Sequence, residues 1–350
     1  MCIVMYRELF ILGVIFIIAS AILIAFPEIL INIGGRESPQ IVTKKGSGKI
    51  YFDNITYTIY ESFLVKNNLN REVSEYIYLS VPRNLTYQLS SIIEIQPKPI
   101  SIERDDDGNI FALINISLEP GGHIWINATF RVKVSGYRID FNYSVARWPP
   151  LNIMRNLTTR TMYWDIDNRT LINIVTQAYG MNNPLSIAKW IGEWIKSRLV
   201  YKVMFIRLGS DHAIVRGLIG YRVHGDCSEV ADVYVTFARI LGLPSRTVYG
   251  FMLYHYNETQ WLNLTRRESE TSLLQHWGGH TWPQIYVEPW KWIDVEMLEE
   301  NKVKIGDLSN RHIIYGVQEK KFYGTTLEGL CITSYLDLEY VKIVFRGVKD

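Results

Sequence analysis

The sequence has few cysteines and no excess of one charge. Its 350 residues include three cysteines, 37 lysines and arginines and 35 aspartates and glutamates, which gives a formal net charge of +2. Three cysteines allow at most one disulfide, which excludes a disulfide-rich scaffold. The balanced charge argues against nucleic acid or an anionic surface as a partner. With 48% apolar and 21% charged residues, the chain has a globular composition and is long enough for two domains.

Charge is also absent from residues 9–26. That length is about what a helix needs to cross a bilayer. We expect residues 1–35 to be an N-terminal transmembrane helix that anchors the chain, followed by a flexible linker at 36–49. The alternatives are a cleaved signal peptide, with Ala19-Ser20-Ala21 as its cleavage site, and a buried core helix. Cleavage would leave Ile22-Leu23-Ile24 at the new N-terminus, which favours the uncleaved anchor.

Asn-x-Ser/Thr triplets are frequent after the apolar run, and they indicate where the rest of the chain lies. Composition alone predicts roughly two such triplets, so we expect most of them to be glycan acceptors. The alternative is that Asn and Thr cluster in turns and strands for structural reasons. Glycan acceptors place everything after the anchor outside the cytoplasm, as part of a single-pass protein of the cell membrane. The asparagines are Asn54, Asn84, Asn115, Asn127, Asn142, Asn156, Asn168, Asn257 and Asn263.

The pattern of apolar residues divides the chain after the linker into three regions. Residues 50–148 hold short alternating runs separated by turns, which predicts an antiparallel, sandwich-like β domain. Trp148-Pro149-Pro150 marks its end, because two prolines interrupt both ladders and helices. Residues 149–300 combine helical and strand patterns, which predicts an α+β domain. Residues 301–350 alternate enough to predict a C-terminal β extension.

Cys227 lies where a helix is predicted to begin. Asp226 is a good N-cap residue and Glu229 follows it by three positions, so the two can form a capping box with Cys227 at the first helical position. The positive end of the helix dipole favours a thiolate over a thiol at that position. Apolar residues continue at helical spacing until Gly242 and Pro244 end the helix. The sequence therefore predicts a reactive thiol on a rigid, buried helix.

His280 and Asp294 complete a set that can perform nucleophilic catalysis. Both fall on predicted strands separated by a short turn around Pro289, which can bring their side chains together. A carboxylate that binds the imidazole would fix its tautomer and orient it as the base. We therefore predict Cys227 as the nucleophile, His280 as the general base and acid, and Asp294 as the orienting acid.

Two other uses of these residues are structural. Cys227 could form a disulfide with Cys331, in which case the histidine and the acid downstream would have no role. His276 and His280 are four residues apart and could bind a metal together with Cys227 and Asp294. The two glycines between the histidines argue against the helix that this spacing needs. We therefore predict no metal and no cofactor.

Several blocks around these residues resemble the transglutaminase-like superfamily. The family pattern has Gly-x-Cys at a helix start, Arg-Ala-x-Gly-Ile-Pro-Ala-Arg, His-x-Trp and Trp-x-x-x-Asp, and the resemblance covers roughly residues 160–297. Three departures are Ser245, where the family has Ala, the spacing from Trp292 to Asp294, which is shorter than in the pattern, and Val295-Glu296, which replaces the common Pro-Thr or Pro-Ser after the acid. The matching blocks are Gly225-Asp226-Cys227, Ala238-Arg239-Ile240-Leu241-Gly242-Leu243-Pro244-Ser245-Arg246, Gly250-Phe251, His280-Thr281-Trp282 and Trp292-Ile293-Asp294.

The resemblance implies a papain-like core, in which the helix that carries the nucleophile packs on an antiparallel sheet. It also implies an acyl-enzyme, formed when Cys227 attacks an amide carbonyl. The backbone N–H of Cys227 is expected to be one oxyanion donor, and Tyr221 is a candidate for the second. Hydrolysis of a protein, a peptide or a cell-envelope polymer is favoured over Gln-to-Lys crosslinking. A surface protein that binds partners without catalysis is the third alternative.

Overall fold

The computed structural model describes residues 42–43, 48–204, 207–256, 258–263, 279–319 and 329–350. Among these residues no helix is both long enough and apolar enough to cross a membrane. The anchor predicted at residues 1–35 and most of the predicted linker lie outside the described residues. The described residues belong to one compact unit that spans Gln40–Asp350.

The described part of the chain contains many antiparallel strands and few helices, as expected for the α+β class. Five α-helices, α1 to α5, are Leu151–Asn156, Arg169–Val175, Pro184–Lys196, Ser210–Ala213 and Cys227–Ile240. The strands β1 to β19 are Val42–Thr43, Lys49–Asn67, Val73–Val81, Gln88–Gln96, Ser101–Arg104, Ile110–Leu118, His123–Ile139, Leu199–Tyr201, Ile214–Arg216, Tyr221–Gly225, Ser245–Met252, Glu258–Asn263, Gly279–Val287, Lys291–Glu296, Lys304–Ile305, Asp307–Leu308, His312–Gln318, Leu330–Cys331 and Leu336–Lys349.

Two antiparallel sheets form a β-sandwich. The first has strand order β12-β19-β2-β7-β16, with β1 paired to β2 and β4 paired to β7, and the second has order β18-β3-β6-β5. Ile59 and Phe63 of β2 and Phe130 of β7 are buried in one apolar core with Ile77 and Ile114 of the second sheet. The alternating pattern of residues 50–148 therefore does form antiparallel sheets, and β12, β16, β18 and β19 from later in the chain extend them.

Helix α5 packs against a third sheet, of order β15-β14-β13-β11-β17. All neighbouring strands in this sheet are antiparallel. Val233, Tyr234 and Phe237 of α5 are fully buried in one core with Trp282 of β13 and Ile293 of β14. The apolar stripe of α3 packs into the same core. A helix on an antiparallel sheet is the core architecture that the family resemblance implied.

A small sheet of order β8-β10-β9 leads the chain into α5. Gly225, the last residue of β10, has a φ of +149°, and a Cβ atom there would lie 2.3 Å from the Cβ of Glu229. Glycine is therefore required where the strand turns into the helix, because any side chain would collide with Glu229. This close approach lets the Glu229 carboxylate reach back to the backbone of Asp226.

The C-terminal region, residues 301–350, contributes strands to three sheets. β17 forms an edge of the third sheet, where it pairs with β11. β19 pairs with β2 in the sandwich along most of its length, from Leu336 opposite Asn67 to Lys349 opposite Ile55. The region predicted as a β extension is therefore integrated into both halves of the fold, and it carries His312 towards the candidate site.

Six of the sequon asparagines are exposed, namely Asn54, Asn84, Asn115, Asn127, Asn142 and Asn156. Asn168 is half-buried, and its side-chain oxygen accepts hydrogen bonds from the N–H groups of Thr170 and Leu171 at the start of α2. The side chains of Asn257 and Asn263 lie outside the described residues. The exposed amides meet the steric requirement for glycan attachment. Glycosylation stays a prediction.

Candidate active site

Cys227 is the first residue of α5, and the predicted capping box has formed around it. The Oδ1 atom of Asp226 accepts a hydrogen bond from the Ser228 N–H at 2.9 Å, and Glu229 Oε2 accepts one from the Asp226 N–H at 3.2 Å. The cap fixes the first turn, so the thiol is held at the positive end of the helix. Cys227 is 8% exposed, which leaves it almost enclosed.

His280 lies on β13 and connects the thiol to a carboxylate. Its imidazole hydrogen-bonds to Cys227, and its Nε2 lies 2.8 Å from Oε2 of Glu296 on β14. The ring stacks on Trp282, with ring centroids 5.4 Å apart and 22° between the planes. A thiol, an imidazole and a carboxylate therefore form one buried line, Cys227–His280–Glu296.

Each member of this line changes the ionisation of its neighbour. Burial disfavours a charged imidazole, yet the charge of Glu296 and hydrogen bonds with Cys227 and Glu296 outweigh it and raise the pKa of His280 to about 10. Burial also disfavours a charged carboxylate, but the charge and hydrogen bond of His280, helped by His312, hold the pKa of Glu296 well below its usual value. At neutral pH the site therefore holds an imidazolium beside a carboxylate. An imidazolium is also the partner that a thiolate nucleophile needs.

The carboxylate that contacts His280 is Glu296, so the prediction that Asp294 orients the imidazole is corrected. The register of β13 and β14 explains the difference. Asp294 pairs with Gln284, which lies four residues beyond His280, or roughly 13 Å along the strand. Glu296 follows Asp294 by two residues on the same face of β14, and this places its side chain next to His280.

Asp294 has a different set of partners. Its Oδ2 accepts hydrogen bonds from the hydroxyls of Tyr87 at 2.8 Å and Tyr137 at 2.6 Å. Its Oδ1 accepts hydrogen bonds from Trp282 Nε1 at 2.8 Å and Gln284 Nε2 at 2.7 Å. Four neutral donors therefore satisfy this fully buried carboxylate. Because Tyr137 lies on β7 and Tyr87 just before β4, Asp294 joins the sandwich to the third sheet.

The sequence does contain a signal for Glu296. The family pattern Trp-x-x-x-Asp places the acid four residues after the tryptophan, and Glu296 lies four residues after Trp292. Asp294 stands at the same distance from Trp290, so the spacing alone leaves two acids. Of the two, only the aspartate matches the family's residue type. Only the strand register distinguishes the two acids.

Three further residues bear on the predicted site. Tyr221, the candidate oxyanion donor, begins β10 and lies four residues before Gly225, roughly 13 Å away along the strand. Tyr201 of β8 pairs with Gly225 and interacts electrostatically with Cys227, so it is much nearer the thiol. Cys331 lies on β18 in the sandwich, and both it and Cys227 are free thiols. The alternative disulfide is therefore contradicted.

His280, Glu296 and His312 are described residues whose potential metal-ligating atoms lie within 4.8 Å of one another. The distance of 2.8 Å between His280 Nε2 and Glu296 Oε2 is that of a hydrogen bond. Two ligands of one tetrahedral zinc stand roughly 3.3 Å apart, given zinc–nitrogen bonds of about 2.0–2.1 Å. The His280–Glu296 spacing thus fits a hydrogen bond better than a pair of zinc ligands. Of the other metal ligands proposed from the sequence, Asp294 is hydrogen-bonded to Trp282, and His276 lies outside the described residues.

Comparisons with known proteins identify a family for part of the chain and a similar fold. Residues 174–297 match the model of the Transglutaminase-like superfamily, so the resemblance found in the motifs is confirmed. The chain is similar to the crystal structure of a "Putative Cysteine Protease from Cytophaga hutchinsonii", with a TM-score of 0.51 and 12% identity, covering 86% of this chain and 92% of that one. It also matches the periplasmic domain of TgpA from Pseudomonas aeruginosa bound to ethylmercury, with a TM-score of 0.33 and 12% identity over 75% of this chain and 76% of that chain. No curated protein matches. At 12% identity the first similarity establishes a shared fold alone.

Proposed function

Residues 174–297 form a domain of the transglutaminase-like superfamily, and from this premise we propose that the chain is a thiol enzyme that attacks amide carbonyls through Cys227. The observation that carries the proposal is the line Cys227–His280–Glu296, in which each group contacts the next. A thiol at a helix start, an imidazole and a buried carboxylate are the groups that a nucleophile, its base and the orienter of that base require.

In the first half of the reaction, the Cys227 thiolate attacks the carbonyl carbon of an amide. The backbone N–H of Cys227, at the helix start, donates to the developing oxyanion. As the C–N bond breaks, His280 gives its proton to the leaving amine, and a thioester on Cys227 remains. Acylation removes the thiolate charge, which is one of the interactions that keep His280 protonated, so proton transfer becomes easier when it is needed. Glu296 holds the ring in place throughout.

In the second half, water resolves the thioester. His280, now neutral, takes a proton from water as the water oxygen attacks the thioester. The C–S bond then breaks, and Cys227 leaves as a thiolate beside the imidazolium, which restores the starting enzyme. The products are a carboxylic acid and the free enzyme, which makes the chain a peptidase or amidohydrolase. The fold shared with the Cytophaga hutchinsonii protein, whose name describes a cysteine protease, supports the preference for hydrolysis. The proposed substrate is a protein, a peptide or a cell-envelope polymer.

Transfer of the acyl group to a lysine amine is the second candidate. The same thioester would crosslink proteins if an amine attacked it in place of water. Burial of the site favours this possibility, since Cys227 is 8% and His280 is 4% exposed and access of water to the thioester is restricted. A surface protein that only binds partners would have no need of an imidazolium beside its thiol.

One experiment separates these functions. The protein is incubated with a glutamine-containing protein and a fluorescent amine, and Cys227→Ala is compared with Cys331→Ala, which removes a thiol in the sandwich. We expect peptide fragments with Cys331→Ala and none with Cys227→Ala, whereas amine incorporation would indicate transfer. The thiol-enzyme proposal would be contradicted if neither product formed and iodoacetamide labelled Cys227 no faster than Cys331.

We also propose that the domain lies outside the cytoplasm, held by an anchor at residues 1–35. The sequons and the exposure of six of their asparagines support this placement. In cells that glycosylate secreted proteins, the full chain should lose mass on endoglycosidase treatment, and protease added to intact cells should degrade the domain. A chain that is unglycosylated, and protected until the cells are opened, would contradict the placement.

A further inference from the structure

We propose that His312 is a positioning residue of this site and holds Glu296 in the orientation in which it binds His280. The inference rests on the proposed function, because it assigns one more residue to the same catalytic line. His312 is the first residue of β17 and is fully buried. It lies beyond residues 174–297, the segment that matches the family model, so that match assigns it no role.

Two histidines share one oxygen of Glu296. The Oε2 atom lies 2.8 Å from His280 Nε2 and 3.4 Å from His312 Nε2. The Oε1 atom accepts hydrogen bonds from the N–H groups of Leu298 at 2.6 Å and Glu299 at 3.1 Å. The His312 contact is longer than a strong hydrogen bond, and among the described residues its Nε2 has no hydrogen-bond partner. The carboxylate is therefore held from four directions, one of which is His312.

The other ring nitrogen indicates which hydrogens His312 carries. His312 Nδ1 lies 3.0 Å from Ser309 Oγ, which donates its only hydrogen to Glu299 Oε1 at 3.1 Å. Ser309 therefore accepts a hydrogen from Nδ1. A neutral ring in this state would aim the lone pair of Nε2 at the Glu296 carboxylate, which is repulsive. If Ser309 instead donates to Nδ1, the ring hydrogen lies on Nε2, 3.4 Å from Glu296 Oε2, where its contact with the carboxylate is attractive.

The surroundings of His312 restrict the ring to this orientation. Trp282 of β13 packs edge-on against it, with centroids 5.1 Å apart and 75° between the planes. On the side of Ser309, Glu299 forms ion pairs with Lys304 and Arg311. Positive and negative charges thus offset one another on the Ser309 side of His312, and Nε2 of the ring stays directed at Glu296. Without this contact the shared oxygen would lose one restraint, and the carboxylate would hold the His280 imidazolium less firmly.

The test is the pH profile of iodoacetamide alkylation of Cys227 in the full chain, followed by mass spectrometry of the cysteine peptides. Two amide variants are compared because each replaces one ring nitrogen. The side chain of His312→Gln can place an N–H near the position of Nε2, whereas that of His312→Asn reaches only the position of Nδ1. We expect His312→Asn to move the profile to higher pH and to slow alkylation near pH 7 on the order of threefold to tenfold, as for coupled neighbours. His312→Gln should keep most of the wild-type rate.

Three results would overturn the inference. The first is an unchanged profile in a folded His312→Asn protein, and the second is an equal shift in His312→Gln. The third is a double variant, His312→Asn with Glu296→Gln, in which alkylation slows by the full product of the two single effects. His123→Asn, at an exposed histidine at the start of β7, is the control and should leave the profile unchanged. Alkylation needs no substrate, so the result does not depend on whether water or an amine attacks the thioester. Wild-type Cys227 that reacts no faster than Cys331 would instead overturn the proposed function, and this inference with it.

Discussion

At the scale of the residue, Glu296 and Asp294 show how two carboxylates on one face of a strand acquire different roles. Both are buried. Glu296 binds the imidazole of His280, which lies beside the thiol, whereas Asp294 binds hydroxyl, indole and amide donors that keep their protons at neutral pH. A carboxylate beside an imidazolium can govern when that proton moves. A carboxylate among neutral donors can only fix their positions.

Glu296→Gln and Asp294→Asn are therefore a matched pair of substitutions. We expect Glu296→Gln to slow turnover by roughly 10² to 10⁴, because His280 loses the charge that keeps it protonated and oriented. Asp294→Asn should cost about 1–3 kcal/mol in the free energy of unfolding, because an amide nitrogen would face buried donors. Its turnover should change far less than that of Glu296→Gln. Turnover and urea unfolding of both variants are the measurements. If Asp294→Asn abolishes turnover and Glu296→Gln does not, Asp294 is the orienting acid after all.

At the scale of the element, features encoded within a few residues can be predicted from the sequence. The capping box spans Asp226 to Glu229, and the helix it starts ends just before Gly242. The partner of His280 depends instead on the register of β14 against β13, which a shift of two residues would change. The second histidine, His312, lies on β17, a later strand, so no local sequence pattern indicates that it contacts Glu296.

The sandwich reaches the third sheet through Tyr137, and this contact is open to a direct test. Its hydroxyl donates to Asp294 Oδ2 at 2.6 Å and accepts from the Asp294 N–H at 3.0 Å. Tyr137→Phe removes both bonds and leaves a buried carboxylate short of one donor, so we expect a loss of about 1–3 kcal/mol in the free energy of unfolding. Tyr76→Phe, at an exposed tyrosine on β3, is the control and should cost much less. Equal losses in urea unfolding would contradict this role for Tyr137.

At the scale of the whole molecule, strand β17 connects the two cores. It borders the third sheet, yet Ile313 and Tyr315 on it belong to the core of the sandwich. The Tyr315 hydroxyl donates a hydrogen bond to Glu61, which lies on β2 and is 1% exposed. Burial raises the pKa of Glu61 to about 8, although the hydrogen bond from Tyr315 opposes the shift. An acid that is neutral at physiological pH thus lies where the two parts of the fold meet.

The stability of the whole molecule should fall as the pH rises from about 5 to about 8. Between the unfolded pKa of Glu61, 4.5, and its folded pKa of about 8, the folded state binds more protons, so raising the pH favours unfolding. His280 acts in the same direction, because its stabilisation is complete below pH 6.5 and is lost as the pH rises through about 10. Glu61→Gln imitates the neutral acid, so its Tm should depend less on pH in thermal unfolding at pH 5, 6.5 and 8. Glu103→Gln, at an exposed position on β5, should keep the wild-type slope. If Glu61→Gln keeps that slope as well, Glu61 is already ionised in the folded protein, because a carboxylate that stays charged across this range contributes no slope.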